Sequence, residues 1–578
     1  MSSTAWNRLL LAVAACAWCI ALLAGPDPAR PSTAAALGGD VDGEVQVTED
    51  PERFGAAVRL VVRRDGIDME AWARGAEGRA VEDRQVGEWV VLEGSVRPMD
   101  AEWRLRSGVI GRVEVDAVHG WRHGGPISRA ANGVRRTLAD GAGAMDDHDA
   151  ALFLGLVLGD RRGHDEVTED AFAGSGLTHV LAVSGSNVAF VVVLAGPVLR
   201  RLRFGGRLAA TLAVVAFFAV VTRLEPSVLR AATMTGLGAC AVTFGWEAES
   251  RRMLAATVVL LLLVDPSLAR SLGFQLSVAA SLGIVSFARP LAVRMPGPRW
   301  LAEPVSVTAA AQLAVAPLLL PVAGGLPVAS LPANLLAVPA TGPVMVWGVP
   351  AGMIAGLAGG DSTLAALVHL PTSWLVSWID AVARTAAAAP LGELGARHLV
   401  LLGAALAAVV WGRHVGHRAL AGTLACVVFL QPAVAIATGA VLGGDLGPGA
   451  VLHRSGRAVV VVIDSHARAD LVLEGLRRSA VTRIDVVVTV HGGRGSAEVV
   501  ASIGRRTAPR LVLAPEGHRV PGASTPPAGV VITVGELGVR VGATSPQLDV
   551  SVEPVTRGRD PPGRCASACA PAAAGPPR

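Results

Sequence analysis

The sequence has no tyrosine and no lysine: all 51 basic residues are arginines, and aromatic residues make up only 4% of the chain. The missing lysine and tyrosine look like a coding bias and exclude no function by themselves. No G-x-x-x-x-G-K-[ST] phosphate loop occurs, so the chain does not carry its own motor of that type. Cysteine is scarce as well: the 6 cysteines include no pair of C-x-x-C motifs at zinc-site spacing. Cys16 and Cys19 form a lone C-x-x-C inside an apolar run, where a redox pair would lack solvent and small thiols simply pack. Charge is the most telling shortage. Charged residues are 17% of the chain against about 25% in soluble domains, hydrophobic ones are 52%, and the mean hydropathy is +0.49. A string of soluble domains is excluded, and neither the 67 Gly nor the 36 Pro fall into a repeat that would mean collagen or general disorder. What remains is a polytopic α-helical membrane protein. The net charge of +4 is too small to imply a nucleic-acid partner.

The chain divides by pattern. Residues 9–25 form an apolar run after Arg8, read as a first membrane span with its N-terminus inside or as a signal peptide, and 1–37 are that segment and its linker. Residues 38–120 switch to short β-branched runs, 57–63, 87–96 and 109–118, which predict a small soluble β domain, barrel or sandwich. In 121–176, residues 127–140 place Ile127, Ala131, Val134 and Leu138 on one helical face with Arg129, Arg135 and Arg136 opposite. That predicts an amphipathic helix, lying either on the membrane surface or on a soluble domain, followed by a connector. Hydropathy then gives ten spans within 177–442, near 177–199, 208–222, 226–245, 253–264, 272–288, 303–322, 330–357, 364–389, 399–412 and 419–441, for about 11 in all. The arginine-bearing segments 200–207, 246–252, 289–299 and 413–418 then share one face, which the positive-inside rule makes cytoplasmic, so both soluble domains are expected to be extracytoplasmic. Residues 443–555 return to buried-strand and helix alternation, 458–464, 470–478 and 484–490, predicting an α/β or α+β domain, and 556–578 read as a disordered tail.

Polar residues stand in or beside the apolar spans, where they persist only if they face a bundle interior, a partner helix or water. His179, Ser184, Asn187, Arg230, Gln275 and Asn334 are the set proposed to line a route through the bundle, while Ser184 and Ser277 also suit the role of interhelical hydrogen-bond glue and Arg230 that of an anchor for its helix at an interface. Gly185 between two serines, and Pro332, Pro339 and Pro343 around Asn334, mark broken helices, tolerated at membrane depth only inside protein or beside a cavity.

Four motifs fall in order: Gly176-x-x-His179-x-x-x-x-Ser184-Gly185-x-Asn187-Val188; Pro226-Ser227-x-x-Arg230-Ala231; Asp265-Pro266 followed by Gly273-Phe274-Gln275-Leu276-Ser277; and Pro332-x-Asn334-Leu335-Leu336-Ala337-x-Pro339. In these the sequence resembles the ComEC family of competence proteins, most strongly over 150–340. The resemblance implies an oligonucleotide-binding (OB-like) barrel at 38–120, a competence-type bundle at 177–442 and a metallo-β-lactamase-like domain at 443–555. It further implies an inner-membrane channel that passes single-stranded DNA into the cytoplasm during natural transformation. Its partners would be an extracytoplasmic DNA receptor, a cytoplasmic motor ATPase and the membrane lipids. Where that family has Thr-His-x-His-x-Asp-His as metal ligands, this chain has Thr489-Val490-His491-Gly492-Gly493-Arg494. His453, Asp464, His466, His491 and His518 lack ligand spacing, so neither a metal cofactor nor an enzymatic activity is expected. Arginines 59, 63, 64, 74, 79, 84, 97, 104, 106 and 112, with Trp72, Trp89 and Trp103, offer a single-strand platform or a solvated face, since acidic residues are nearly as numerous. From 443 onward 16 arginines outnumber 11 acidic residues, a balance that attracts polyanions. The competing functions are a membrane-anchored nuclease or hydrolase, against which the missing ligands count, and a small-molecule secondary transporter, for which no internal repeat is found.

Overall fold

The computed structural model describes Trp18 and residues 40–554, apart from 55–56, 99–108, 110, 248, 296, 361, 412–414, 438–443, 457, 480 and 482. The predicted first span, the tail, Trp103, Arg104 and Arg106 lie outside the described residues, except that Trp18 stacks on Phe274 with ring centroids 5.5 Å apart. The chain forms two compact units, residues 1–440 and 441–578.

The first unit begins with a closed barrel. Its strands are β1 (Asp40–Val47), β2 (Glu52–Phe54), β3 (Ala57–Arg64), β4 (Ile67–Arg74), β5 (Trp89–Pro98) and β6 (Gly111–Arg122), with α1 (Gly75–Glu82) between β4 and β5. The sheet order is β1-β5-β6-β4-β3, and β1 pairs back onto β3 through Gln46 with Arg63 and Val47 with Val62, which closes five strands. Only β4 and β6 run parallel. This is the Greek-key barrel of an OB-fold. Alternation puts Leu60, Val62, Met69, Ala71, Leu92 and Val113 inside, all fully buried, and the arginines outside.

Helix α2 (Pro126–Ala142) leads from the barrel into the bundle. Ala131 and Leu138 are buried as the sequence pattern requires and Val134 partly so, whereas Ile127, expected on the same face, is 64% exposed. Arg135, placed by that pattern on the outward face, is buried too, with 2% of its side chain exposed. Asp50, Asp160 and the Leu158 and Val221 carbonyls enclose its guanidinium. On another side of α2, glycines allow close packing. A Cβ at Gly356 would sit 2.0 Å from the Thr137 carbonyl oxygen, and one at Gly141 2.1 Å from that of Gly352, so the backbones of α2 and its neighbour touch as small-residue helix pairs do.

The segment read as a connector folds into α3 (Asp147–Leu158), α4 (Glu166–Gly174) and the single turn α5 (Thr178–Leu181). Asp146 and Asp165 cap α3 and α4, accepting from the Asp149 and Thr168 amides at 2.9 and 2.8 Å. The helices that follow are α6 (Gly185–Leu199), α7 (Phe204–Val221), α8 (Pro226–Phe244), α9 (Ser250–Val264), α10 (Leu272–Arg294) and α11 (Arg299–Ala323). They continue with α12 (Ser330–Ala358), α13 (Thr363–Ala388), α14 (Ala396–Trp411) and α15 (Val415–Ala437). Short strands β7 (Leu326–Pro327) and β8 (Glu393–Leu394) clasp two of the loops. Among the described residues five helices, α7, α8, α10, α11 and α12, are long and apolar enough to cross a membrane. Together with the barrel they make this a membrane protein with a barrel domain.

The second unit carries a mixed sheet of β9 (Asp445–Gly447), β10 (Ala450–Ser455), β11 (Ala458–Ile463), β12 (Val486–Thr489) and β13 (Leu511–Leu513), with α16 (Ala469–Arg478) and α17 (Arg494–Thr507) as crossovers. β11, β12 and β13 are parallel, which is why the run Ala458–Ile463 is apolar on both faces. A second antiparallel sheet, β14 (Val531–Val534), β15 (Leu537–Val541) and β16 (Val550–Pro554), completes an α/β unit.

Candidate functional site

The predicted span 177–199 is interrupted. Ala182 and Ser184 take extended backbone between α5 and α6, and neighbouring elements satisfy the freed polar groups. Ser227 Oγ donates to the Val183 carbonyl at 2.6 Å, and the buried Asn187 Nδ2 donates to the Leu156 carbonyl at 2.9 Å. Ser184 Oγ lies 2.6 Å from Ser186 Oγ and donates to Asn187 Oδ1 at 3.2 Å. Ser186, His179 and Ala182 are exposed around the break.

Arg230 reaches this break from the second turn of α8. Its Nε donates to Ser277 Oγ at 2.7 Å and its Nη1 lies 3.9 Å from Met234 Sδ, and among the described residues no carboxylate pairs with it. The guanidinium rests on Gly185: a Cβ there would be 2.5 Å from Arg230 Nη2. Gly185 is therefore needed for the approach of a cation, a role that its position in the motif between two serines left unread. Three of the four motifs thus meet at one place, as Ser184, Gly185 and Asn187, then Arg230, then Ser277.

The fourth motif meets the first elsewhere. Gly176, at φ 69°, packs against Ser330, where a Cβ would sit 2.4 Å from the serine Cβ. Asn334 is buried and donates to the Ser330 carbonyl at 2.8 Å, while Gln312, which sequence reading missed, donates to Ser330 Oγ at 2.9 Å. Gln275 donates to the Ala269 carbonyl at 2.8 Å, bracing the 3₁₀ turn Pro266–Arg270 that Asp265 caps. Both amides are thus spent on local backbone.

Charge is concentrated where the barrel meets the bundle. Asp50, in the loop after β1, accepts from Arg223 Nε and Nη2, both at 2.8 Å, and from Arg135 Nη2 at 3.1 Å. Arg135 also donates to Asp160 at 3.1 Å and to the Leu158 and Val221 carbonyls, and Arg223 Nη1 donates to Asn132 Oδ1 at 2.7 Å. Burial opposes ionisation of Asp50 and Asp160. Arg223 and Arg135 outweigh it at Asp50 and hold that carboxyl below its ordinary range; hydrogen bonds from Arg162, with its charge and that of Arg135, lower Asp160 to about 2. Arg223 and Leu224 hold positive φ, 61° and 57°, a strained turn that aims Arg223 at Asp50 just before α8 begins. OB-folds bind oligonucleotides through the face of their second and third strands and the loop between the first two, and here that loop is occupied by the bundle.

The corresponding barrel face, on β3 and β4, is matched in charge. Arg59 pairs with the buried Glu70 and with Glu49 and Glu52; Arg63 pairs with Asp68, Arg97 with Glu114 and Arg112 with Glu70. Trp72 lies between Phe54, 5.6 Å away, and the Arg112 guanidinium, 4.8 Å above its ring, leaving Phe54 exposed as a stacking surface.

In the second unit Asp464 ends β11 and His491 follows β12, so the carboxyl ends of adjacent parallel strands bring them together, with His491 Nδ1 2.8 Å from Asp464 Oδ1. A backbone hydrogen bond from Ser465 holds the Asp464 carboxyl below its ordinary range, with His491 contributing. His518 packs on Gly492, whereas His453 lies on β10 and His466 contacts Ser465. Among the described residues no group of three or more His, Cys, Asp or Glu is placed to hold a metal ion.

Residues 156–416 match the family model described as Competence protein. "ComE operon protein 3" of Bacillus subtilis (strain 168) is 29% identical over 232 residues, covering 39% of this chain and 29% of that protein. "Uncharacterized protein YcaI" of Escherichia coli (strain K12) is 28% identical over 232 residues, 36% of this chain and 29% of its own length. The alignments thus span less than a third of either relative, and no solved structure matches the chain. The match to the Competence protein family falls on residues 156–416, which hold most of the helical bundle.

Proposed function

We propose that this protein is an inner-membrane channel for DNA uptake, passing one strand into the cytoplasm during natural transformation. The observation that carries the reading is Arg230. Among the described residues it is a cation without a carboxylate partner, at a helix break beside Gly185 and Ser277 and next to Ser184 and Ser186, within a bundle that matches the Competence family. A phosphodiester oxygen suits that setting, because a guanidinium and hydroxyls supply donors while no fixed anion repels the strand. His179 and Asn187 complete the lining, the former exposed and the latter fixing the break. Asn334 and Gln275 support the walls. Phe54, backed by Trp72, presents aromatic surface to bases on the barrel. Orientation follows from the arginine-bearing segments 200–207, 246–252, 289–299 and 413–418, which place both soluble domains on the extracytoplasmic side. The strand is handed over by an extracytoplasmic receptor and drawn in by a motor ATPase. Among the described residues no further metal ligands stand beside the Asp464–His491 pair, which supports a second unit that binds the strand rather than cleaving it. Uptake of labelled DNA by cells whose sole copy carries Arg230→Gln tests the reading: loss of internalised strand at normal protein abundance is expected, and unchanged uptake refutes it.

A further inference from the structure

The α3–α13 pair carries titratable side chains that DNA passage does not use. Asp149 Oδ2 accepts from Ser377 Oγ at 2.9 Å, and Phe153, one turn further along α3, meets His369 edge to face with ring centroids 5.5 Å apart. The two helices therefore run antiparallel, with a polar seam between them. At its outer end His148 Nε2 lies 3.3 Å from Asp380 Oδ2, and Arg384 donates to Asp380 at 2.6 Å; the His148 and Arg384 side chains are 37% and 47% exposed. The inner end is closed: His369 is 1% exposed and Thr372 0%.

Among the described residues, both ring nitrogens of His369 and the Thr372 hydroxyl have no hydrogen-bond partner. Leaving a buried donor or acceptor unsatisfied is costly, and here three such atoms fall within one helical turn. Native interiors resolve this with ordered water. The neighbouring backbone is irregular in the way functional sites often are. The π-helical stretch Val344–Gly348 of α12 meets Thr372 through Gly348, Trp347 Nε1 donates to the Val368 carbonyl at 3.0 Å, and Pro371 removes an amide donor from α13. Titratable groups on the elements packed against α13 are confined to Asp147, His148 and Asp149 of α3 and Glu166, Glu169 and Asp170 of α4, since α12 has none.

We propose that the His369–Thr372 pocket holds ordered water and is a proton-binding site, supplied along the α3–α13 seam from the Asp380–His148 end through Asp149 and Ser377. The gap from Ser377 to Thr372 is five residues of helix, about 7.5 Å, a span for two or three hydrogen-bonded waters. The chemistry is a single proton transfer: an O–H bond of a hydronium ion from solvent breaks and an N–H bond forms at the free imidazole nitrogen, giving an imidazolium and leaving a neutral water. Such a site lets the bundle sense or use a proton gradient, and it stands whether or not the cargo is DNA.

The test uses the full-length protein in lipid nanodiscs without DNA, labelled with ¹⁵N-histidine, with the His369 ring signals assigned by their loss in His369→Gln. Contact of the ring with water is expected, together with proton exchange that slows at least tenfold in Asp149→Asn or in Ser377→Ala, two variants that guard against one failing to fold. Glu166→Gln on α4 should leave the exchange unchanged. A ring without water contact, or exchange that neither seam variant slows, overturns the proposal.

Discussion

Arg135 and Arg230 are both arginines held among apolar helices, yet their surroundings are opposite. Arg135 has Asp50, Asp160 and two backbone carbonyls, and with Arg223 it forms a network in which each charge has an opposite one. Arg230 has a serine, a thioether and the open face of Gly185. A buried arginine whose charge is matched by carboxylates is a structural fastening. One without a counter-charge keeps its attraction available for an anion that comes and goes. The difference also explains the barrel, where many arginines face outward but carboxylates already hold most of those on β3 and β4, so their number overstates their availability.

The fastening should give the largest effect when broken. Asp50→Ala leaves Arg135 and Arg223 facing each other without their shared carboxylate, and removing one partner of a buried pair costs roughly 3–5 kcal/mol. Thermal unfolding of the purified protein in detergent should show a clear drop in midpoint, with the barrel becoming protease-sensitive before the bundle. An unchanged midpoint would mean that the glycine contacts of α2 hold the barrel without the ion network.

Arg230→Gln comes next and acts on a different readout. It removes charge-assisted hydrogen bonds to a passing phosphate, worth about 1.5–3 kcal/mol, so uptake should fall about 10- to 100-fold, with little change in thermal midpoint. Arg230→Lys keeps charge without the fork and should recover part of the activity. Arg63→Ala on the barrel breaks an exposed pair worth about 0–1 kcal/mol and should change uptake less than about fivefold, which sharpens the contrast between a committed and an available arginine.

Acidity probes the fastening alone. Asp50 and Asp160 are held below their ordinary range in the folded protein, so the unfolded chain takes up protons at higher pH than the folded one. Their stabilisation is complete above about pH 4, where unfolded carboxyls are ionised. It is lost as pH falls toward the folded value of about 2 for Asp160. Unfolding midpoints measured between these limits should decline with acid in the parent and decline less in Asp160→Asn.

Much of this architecture was legible beforehand. Strand runs 57–63, 87–96 and 109–118 became β3, β5 and β6, and the hydropathy maxima from 208 to 441 fell on α7 to α15. Alternation and helical length are local, so they survive without a fold. What was lost depends on contacts distant in sequence. Asp50 lies 173 residues from Arg223 and 85 from Arg135, so nothing near Arg135 showed that its helix face would be buried. Helices α3 and α4 fall in the segment that reads as a connector, although Asp146 and Asp165 stand in capping positions, because both are short and neither is an apolar run of membrane-spanning length. Of the six polar residues singled out in the bundle, Ser184, Asn187 and Arg230 came together at the break. The meaning of Gly185 became visible only when the guanidinium was found against it.

The two amides give the smallest expected effect. Asn334 and Gln275 were singled out because an amide facing lipid is a cost that must have a use. In the structure each has a local one, since their nitrogens donate to the Ser330 and Ala269 carbonyls at 2.8 Å. Replacing either by Leu removes about one ordinary hydrogen bond, on the order of 1 kcal/mol, and leaves Arg230 and its serines in place. Uptake by Asn334→Leu should therefore fall less than by Arg230→Gln, in step with any loss of abundance, because Ser330 also positions Gly176. Gln275→Leu loosens the 3₁₀ turn ahead of α10, which carries Ser277, so its effect should depend on Arg230 and disappear in the Arg230→Gln background. If Asn334→Leu abolished uptake at normal abundance, the passage would run past α12 rather than past the α5–α6 break, and Arg230 would be a fastening after all.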